Sequence, residues 1–235
     1  MFQIIAQEDD FVVVSKDAGV NFHTENGVKG LLVEVEKALN TKLYAVHRLD
    51  KMTSGLLLLA TSSEAAAKLS ELFRERKVEK YYLAISDQKP RKKQGMVKGD
   101  MAKSRRGTYK LLKTNENPAV TQFFSYNLRP GIRLYIIKPA TGKTHQIRVA
   151  MKSLGVPSLG DSNYGASASD RGYLHAYQLR FVCNDKSFDY KNAPQTGAEF
   201  ITEECTLKLE ELEKAGGMNV LQWPKFSLPT RQSSR

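Results

Sequence analysis

His47-Arg48-Leu49-Asp50-Lys51-Met52-Thr53-Ser54-Gly55-Leu56-Leu57-Leu58-Leu59-Ala60 is the stretch of this sequence that decides the fold. Its second half, from Gly55 to Ala60, is apolar and strand-like. Its first half mixes charged residues with the short polar residues that are typical of turns. The sequence therefore predicts that Asp50 lies on a turn beside a core element.

Asp50 is the candidate reactive group of this stretch. Basic side chains flank it at Arg48 and Lys51, and nearby cations favour the ionised form of a carboxylate. An ionised carboxylate can act as a nucleophile or as a base. The alternative is a surface ion pair, since charged turns are common and exposed pairs contribute little.

Strands and helices are both predicted around this stretch. Short strands are indicated at Phe2–Ala6, Phe11–Ser15 and Val78–Ile85, and Ile132, Leu134 and Ile136 alternate with Arg133 and Tyr135 as in a half-buried strand. Helical spacing is found at Leu31–Leu39, at Ala65–Phe73 behind the capping candidates Ser62 and Ser63, at Ile147–Leu154 and at Glu203–Lys214. The pattern predicts an α+β fold with a mixed, largely antiparallel central sheet flanked by helices and loops.

The length of 235 residues predicts one main domain, which we place at residues 1–223, with a tail at 224–235 that is partly disordered. The longest apolar run, Leu56–Ala60, is far shorter than the about 20 residues of a membrane-spanning helix. The first ten residues carry early acids and no basic flank, so we expect no secretory signal and a cytoplasmic protein.

Three kinds of site are excluded or disfavoured by motif. Gly142-Lys143-Thr144 resembles part of a phosphate-binding loop, but the position five places before Gly142 is Ile137 and not the required glycine. Cys183 and Cys205 are too few for a disulfide framework or a cysteine-based zinc site. The four histidines have no local ligand spacing, so we expect no metal. Because the phosphate-binding loop is incomplete, we also expect no nucleotide cofactor.

Charge points to a polyanionic partner. Lysine and arginine number 36 against 25 acids, a net charge of +11, and such an excess draws proteins toward nucleic acids. The segment Lys89–Arg106 has eight basic residues against the single acid Asp100, a net charge of +7. Because it also contains Gly95 and Gly99, we expect a mobile hairpin or loop there.

Several motifs, taken in order, are similar to those of the RluA-type pseudouridine synthases. Asp9–Val20 resembles the opening motif of that family, and His47-Arg48-Leu49-Asp50 with Thr53-Ser54-Gly55 resembles its catalytic motif. Lys80-Tyr81-Tyr82-Leu83-Ala84 is similar to its tyrosine motif, and Thr141–Val149 to its third motif. Gly160-Asp161, Tyr164-Gly165 and Leu174-His175-Ala176 then follow. The order and spacing together make this resemblance specific.

The resemblance implies a pseudouridine synthase fold and three catalytic residues. It implies that Asp50 is the nucleophile, Tyr82 the active-site tyrosine and Arg148 the partner that holds Asp50. Asp50 would attack C1′ of the ribose or remove a proton from C2′, and both routes stay open. Tyr82 would stack on uracil, and its hydroxyl could help to remove the C5 proton.

The resemblance also implies an RNA partner, either ribosomal or transfer RNA, for a protein that we expect to be monomeric. Candidate RNA contacts are Arg48, which could occupy the space of an extruded base, together with Lys143, His145 and Gln146. In the basic segment the candidates are Arg91, Lys92, Lys93, Arg105 and Arg106, and the alternative is a solvated loop that aids solubility. We expect no separate N-terminal RNA-binding domain of the S4 type, because the opening motif begins within ten residues of Met1.

Three departures from the family pattern affect the expected RNA contacts. Asp17 stands where a proline is usual, Lys143 where arginine is commoner, and Ala150 where a histidine often follows. Two other functions compete with catalysis of isomerisation. One is a non-catalytic RNA-binding protein of the same fold, and the other is a metal-dependent hydrolase that uses Asp50 and the histidines.

Overall fold

A computed structural model describes residues 1–25 and 27–227. Most of the predicted tail, 228–235, therefore lies outside the described residues. The described strands are β1 Phe2–Gln7, β2 Phe11–Lys16, β3 Tyr44–Ala45, β4 Ser54–Ala60, β5 Glu79–Ser86, β6 Gln94–Gly99, β7 Met101–Lys103, β8 Tyr109–Leu111, β9 Ala119–Arg129, β10 Ile132–Pro139, β11 Leu174–Cys183 and β12 Lys186–Lys191. The described helices are α1 Leu31–Leu39, α2 Ser63–Arg74, α3 Gln146–Ser153 and α4 Glu203–Lys214.

One large mixed sheet organises the molecule. Its strand order is β1-β2-β4-β11-β5-β10-β9-β6, with β12 paired to β11 and β3 paired to β4, while β7 and β8 form a separate hairpin. Only the β4–β11 pair is parallel among the described pairs. The predicted α+β class with a largely antiparallel sheet is confirmed.

Gly55 explains how β4 and β11 come together at the centre of the sheet. Its backbone has a φ of 102°, and a Cβ at this position would lie 2.3 Å from the carbonyl oxygen of Ala176. Only glycine permits this backbone and this approach. The turn that carries Asp50 therefore ends at the middle of the sheet rather than at its edge.

Both faces of the sheet are covered by helices. In β4, Leu57 and Leu59 pack on the side of α1 and α3, whereas Leu56 and Leu58 pack on the side of α2. The prediction of a half-buried strand around Tyr135 is wrong, because this side chain is fully buried. Its hydroxyl donates to the carbonyl oxygen of Gln88 at 2.9 Å, so the polar end of the ring is satisfied inside the protein.

Local signals place the helix starts. Ser62 caps α2 by accepting a hydrogen bond from the amide of Ala65 at 3.1 Å, and Thr202 caps α4 by accepting from Cys205 at 3.3 Å. Such caps satisfy amides that have no partner within the helix. The structure gives α4 the same bounds that the sequence predicts.

The basic segment Lys89–Arg106, expected to be a mobile hairpin or loop, differs in its first half, which adds a strand to the large sheet, and enters a hairpin in its second half. It forms β6, which pairs with β9 at the edge of the sheet, and then enters the β7–β8 hairpin. A Cβ on Gly99 would lie 2.4 Å from the carbonyl oxygen of Leu112, so this glycine serves close packing. β6 holds only one charged residue, Lys98, and lies at an edge of the sheet, so most of the positive charge of the segment flanks this strand.

Within the described ranges, no helix combines the length and the apolarity needed to cross a membrane.

Candidate active site

A cavity of about 630 Å³ opens beside the Asp50 turn. Most of its walls come from three parts of the chain: the Asp50 turn, the end of α2 with the start of β5, and the loop that leads into α3 together with the first turn of α3. Its lining residues are Val46, His47, Arg48, Leu49, Asp50, Thr53, Phe73, Arg74, Arg76, Lys80, Tyr82, Asn117, Pro139, Ala140, Thr141, Gly142, Lys143, Thr144, His145, Gln146, Ile147, Arg148 and Leu174.

The Asp50 turn is fixed from below by a buried lysine. Lys16 is 1% exposed, and its Nζ donates to the carbonyl oxygens of Asp17, Val20 and Lys51 at 2.9, 2.9 and 3.2 Å. Burial and the charge of Arg171 lower the pKa of Lys16 to about 7. The sequence placed this lysine within the opening motif but did not indicate that it supports the catalytic turn.

Arg148 bridges two carboxylates. Its Nη1 donates to Oδ2 of Asp50 at 3.2 Å, while its Nε and Nη2 donate to the two oxygens of Asp161 at 2.7 and 2.8 Å. The side chains of Arg148 and Asp161 are 6% and 2% exposed, whereas that of Asp50 is 19% exposed. Burial opposes the charge on Arg148, but the bonds from the two carboxylates outweigh it and raise its pKa.

This unequal sharing has a chemical consequence. Paired N–H groups of a guanidinium match the two oxygens of a carboxylate, so Asp161 is the stronger partner of Arg148. Asp50 receives one longer bond and faces the cavity. The arrangement orients the Asp50 carboxylate and leaves oxygen lone pairs free for reaction.

Tyr164 packs against two residues that line the cavity, Arg148 and His145. The Tyr164 ring lies under the guanidinium of Arg148, 4.9 Å from its centroid, and the Tyr164 hydroxyl lies 2.9 Å from Nδ1 of His145. The other ring nitrogen of His145 is 3.9 Å from Oδ2 of Asp50. Burial lowers the pKa of His145. The candidate RNA contact His145 thus lies beside the Asp50 carboxylate.

Tyr82 lies in β5 and lines the cavity, with 9% of its surface exposed. Burial raises the pKa of its hydroxyl, and the charge of Asp50 adds to this effect. The phenol is therefore protonated at neutral pH and is a poor base. The ring at the cavity wall is available for the expected stacking on uracil. The raised pKa disfavours removal of the C5 proton by the hydroxyl, and the role of Tyr82 in the reaction stays a prediction.

Gln146 is used inside the protein. Its Oε1 accepts from the Thr141 hydroxyl and the Lys143 amide at 2.6 and 3.1 Å, and its Nε2 donates to the carbonyl of Val120 and the hydroxyl of Thr121, both at 3.0 Å. These bonds use the whole capacity of an amide side chain. The structure therefore differs from the expectation that Gln146 contacts RNA, because this side chain holds the loop before α3.

The remaining candidate RNA contacts fall into separate places. Arg48 is exposed at the cavity, and Lys143 lines it while its Nζ donates to the carbonyl of Asn117. The candidates of the basic segment are all exposed and do not line it. Arg91, Lys92 and Lys93 precede β6, whereas Arg105 and Arg106 lie at the tip of the β7–β8 hairpin.

That hairpin is attached to the site. The amide of Tyr109 in β8 donates to the Tyr164 hydroxyl at 3.0 Å, and its ring meets His145 edge-on at 5.5 Å. Arg105 and Arg106 therefore belong to a hairpin that packs against His145 and Tyr164.

The cavity is also lined by Arg74, Arg76 and Lys80, none of which was a candidate site residue. Arg74 and Arg76 directly follow a predicted helix, where nothing local marks them as more than solvated charges. Lys80 opens the tyrosine motif, but no role of its own was predicted for it. In residues 1–25 and 27–227, no group of three metal-ligating side chains comes together. The expectation of no metal stays a prediction.

Two solved structures share this architecture. Human RNA Pseudouridylate Synthase Domain Containing 1 matches with a TM-score of 0.74 and 23% identity over 96% of this chain and 97% of that chain, which shows a shared fold. Human RNA Pseudouridylate Synthase Domain Containing 4 matches with a TM-score of 0.68 and 25% identity over 88% and 92% of the two chains. The fold is that of the pseudouridine synthases.

Sequence comparison agrees with the fold. A family model for RNA pseudouridylate synthase matches residues 10–153. A Haemophilus influenzae protein described as an uncharacterized RNA pseudouridine synthase is 53% identical over 76% of this chain and 81% of its own length. Ribosomal large subunit pseudouridine synthase C of Rickettsia bellii is 37% identical over 75% of this chain and 62% of its own length. The protein of the same name from Vibrio vulnificus is 33% identical over 76% and 61%.

The chain belongs to the RNA pseudouridylate synthase family, whose members isomerise uridine in RNA. The predicted resemblance is thereby confirmed. The chain spans less than two thirds of the length of the two C-type relatives, although it spans most of the Haemophilus influenzae protein.

Proposed function

We propose that this protein converts specific uridines of structured RNA to pseudouridine, with Asp50 as the reacting carboxylate. Of the two candidate substrates, ribosomal RNA and transfer RNA, we propose ribosomal RNA. The observation that carries this proposal is the bridge from Asp161 through Arg148 to Asp50 in a cavity that Tyr82 lines. The names of the Rickettsia bellii and Vibrio vulnificus relatives support ribosomal RNA as the substrate class.

The isomerisation needs one reactive carboxylate and a pocket that holds the uracil while it turns. The bond between C1′ and N1 breaks, the uracil turns, and a bond from C1′ to C5 forms. N1 gains a proton and C5 loses one, so no atom is gained or lost overall. Asp50 attacks C1′ or takes the C2′ proton, and Arg148 orients the carboxylate by a charge-assisted hydrogen bond in either route.

The target base must leave its stack before it can react. Extrusion of a base costs a few kcal/mol of stacking and pairing. Tyr82 offers a ring on which the uracil can lie, and exposed Arg48 can fill the space that the base leaves. His145 is placed to contact the ribose or the base near Asp50.

The alternative of a non-catalytic RNA-binding protein is not favoured. Binding alone does not require a buried arginine that is shared between two carboxylates, one of which faces a cavity. Such a cluster is expensive to bury, and perturbed groups of this kind are concentrated at reactive sites. The boundary of the domain at residue 223, the monomeric state and the cytoplasmic location stay predictions.

The experiment that tests the proposal maps pseudouridine in total RNA from cells with and without the gene. We expect one or a few positions of ribosomal RNA to lose pseudouridine, and purified protein to restore them. Restoration by Asp50→Asn, or loss confined to transfer RNA, would contradict the proposed residue or the proposed substrate.

A further inference from the structure

The cavity is also lined by cations outside the cluster of Asp50, Arg148 and Asp161. Within that cluster, the charge of Arg148 is balanced by the two carboxylates. Arg76 and Lys80 follow the end of α2 and line the same cavity. They bring positive charge that the cluster does not use.

Lys80 is a half-buried cation without a matching anion among the described residues. Its Nζ lies 5.6 Å from the centroid of the Phe73 ring, which covers one side of it. Burial alone lowers the pKa of Lys80 to about 8, and no described carboxylate offsets that effect. An ammonium that loses water without gaining a partner destabilises the folded protein, so its retention at a cavity wall suggests a ligand.

Arg76 is held in a backbone conformation that disfavours arginine. Its φ is 62°, its amide donates to the carbonyl of Phe73 at 3.2 Å, and the amide of Lys77 donates to Leu72 at 2.9 Å. This is the left-handed position that ends many helices and that glycine usually occupies. A strained residue at a functional cavity is a reason to look for a function of its side chain.

We propose that Lys80 and Arg76 form a subsite for a backbone phosphodiester next to the extruded uridine. The inference rests on the proposed function, since it assumes that uracil lies on Tyr82. Lys80 and Tyr82 are two residues apart in one strand, so their side chains leave the same face about 6.6 Å apart. Uracil and ribose are neutral, and the phosphodiester is the anionic group of RNA that two cations can bind.

The subsite would fix the direction of the RNA strand across the cavity. The base would contact Tyr82 and the reacting C1′ would face Asp50, while the phosphate would be held by Lys80 and Arg76. Contacts with phosphates set register and orientation without reading sequence. The two cations would therefore help to place any target uridine.

Two variants and a matched control test the subsite. Lys80→Met keeps the apolar stem beside Phe73, and Arg76→Gly suits the left-handed backbone. The control is Lys77→Gln, which removes a positive charge from a residue next to Arg76. Lys77 is a suitable control because its Nζ pairs with Glu75 at 2.7 Å and it does not line the cavity. The probe is a short single-stranded oligouridylate, whose affinity is measured over a series of salt concentrations.

Each lost phosphate contact flattens the slope of log affinity against log salt by about 0.7 for single-stranded RNA. We expect each site variant to lose about this much and the control to keep the slope of the wild type. Arg76→Gly should also unfold at a higher urea concentration than the wild type, because glycine removes the backbone strain. Weaker binding by a more stable variant cannot be attributed to misfolding.

Further probes separate failure of the subsite from failure of the proposed function. A neutral methylphosphonate beside the mapped uridine should weaken binding by the wild type at one flanking position, with no further loss in Lys80→Met. Unchanged slopes in both variants, or a slower reaction with an unchanged slope, would overturn the subsite while pseudouridine formation by the wild type stands. Absence of pseudouridine formation by the wild type would instead overturn the proposed function, and altered slopes would still support the phosphate contact.

Discussion

Asp50 and Asp161 share one arginine, and replacement of each carboxylate by its amide should have different effects. Asp161→Asn leaves one acceptor oxygen but turns an NH₂ group toward an N–H of Arg148, so one of the two bonds of 2.7 and 2.8 Å is lost. Asp50→Asn keeps an acceptor oxygen for its single bond of 3.2 Å and loses only the charge of a side chain that is 19% exposed. We expect Asp161→Asn to destabilise the fold and Asp50→Asn to abolish the reaction.

The size of each effect follows from burial. Removal of one partner from a buried ion pair costs about 3–5 kcal/mol, and because Asp50 still lies beside Arg148 we expect about 3 kcal/mol for Asp161→Asn. At about 2–4 °C per kcal/mol for a chain of this size, Tm should fall by about 6–12 °C. Asp50→Asn should change stability by about 1 kcal/mol or less, since Arg148 keeps its stronger partner.

The reaction should respond in the opposite order. Asp50→Asn cannot act as nucleophile or base, so turnover should be undetectable while RNA affinity stays near that of the wild type. Asp161→Asn should react about 100-fold more slowly, because a guanidinium that is no longer held can shift toward Asp50 and misplace it. Urea unfolding and single-turnover pseudouridine formation measure the two effects separately.

Asp185→Asn is the matched control, since Asp185 is exposed in the left-handed turn between β11 and β12, where asparagine is equally suitable. It should leave stability and rate unchanged. An Asp161→Asn protein with wild-type stability and rate would refute the role of Asp161 as the anchor of Arg148. Appreciable turnover by Asp50→Asn would refute the assignment of the reacting carboxylate.

Three further predictions follow from the site. Tyr82→Phe should slow the chemical step more than it weakens binding, but by less than the about 100-fold loss expected for a general base, because the hydroxyl is protonated; a larger loss in single-turnover kinetics would contradict this. Replacement of Arg105 and Arg106 should flatten the slope of log affinity against log salt by about 1.4–1.8 if both contact phosphates. Arg91, Lys92 and Lys93 are replaced in a separate variant because they lie in another part of the fold. Collapse of the saturated single-turnover rate in either variant would place that group in the active site. Chelators should leave activity on an unstructured minimal substrate unaltered, and loss that a divalent ion rescues would revive the hydrolase alternative.

Local patterns predicted the elements of the fold well. Periodicity and the capping candidate Ser62 predicted α2, because a helix start depends on neighbouring residues. The bounds of α4 were predicted as well. The buried environment of Tyr135 could not be read from its own strand, since it depends on layers that other segments supply. The strand β6 could not be read from the basic segment either, because the charges flank this strand and its edge position depends on pairing with the distant β9.

The site was predicted in part. Motif order indicated Asp50, Tyr82 and Arg148, and the structure brings these residues to one cavity. The anchoring role of Asp161 and the support from Lys16 depend on contacts between distant segments, which no local pattern encodes. Gln146 illustrates the opposite case, because a polar residue in a polar cluster proved to be an internal support.

The parallel pairing of β4 with β11 also bears on how the protein is made. Ser54 and Gly55 lie early in the chain, whereas their neighbours His175 and Ala176 lie late in it. Since nascent chains emerge from the N-terminal end, the turn that carries Asp50 lacks its central support until most of the polypeptide has been synthesised. An incomplete chain released from the ribosome before β11 would therefore contain the basic segment Lys89–Arg106 without an assembled active site.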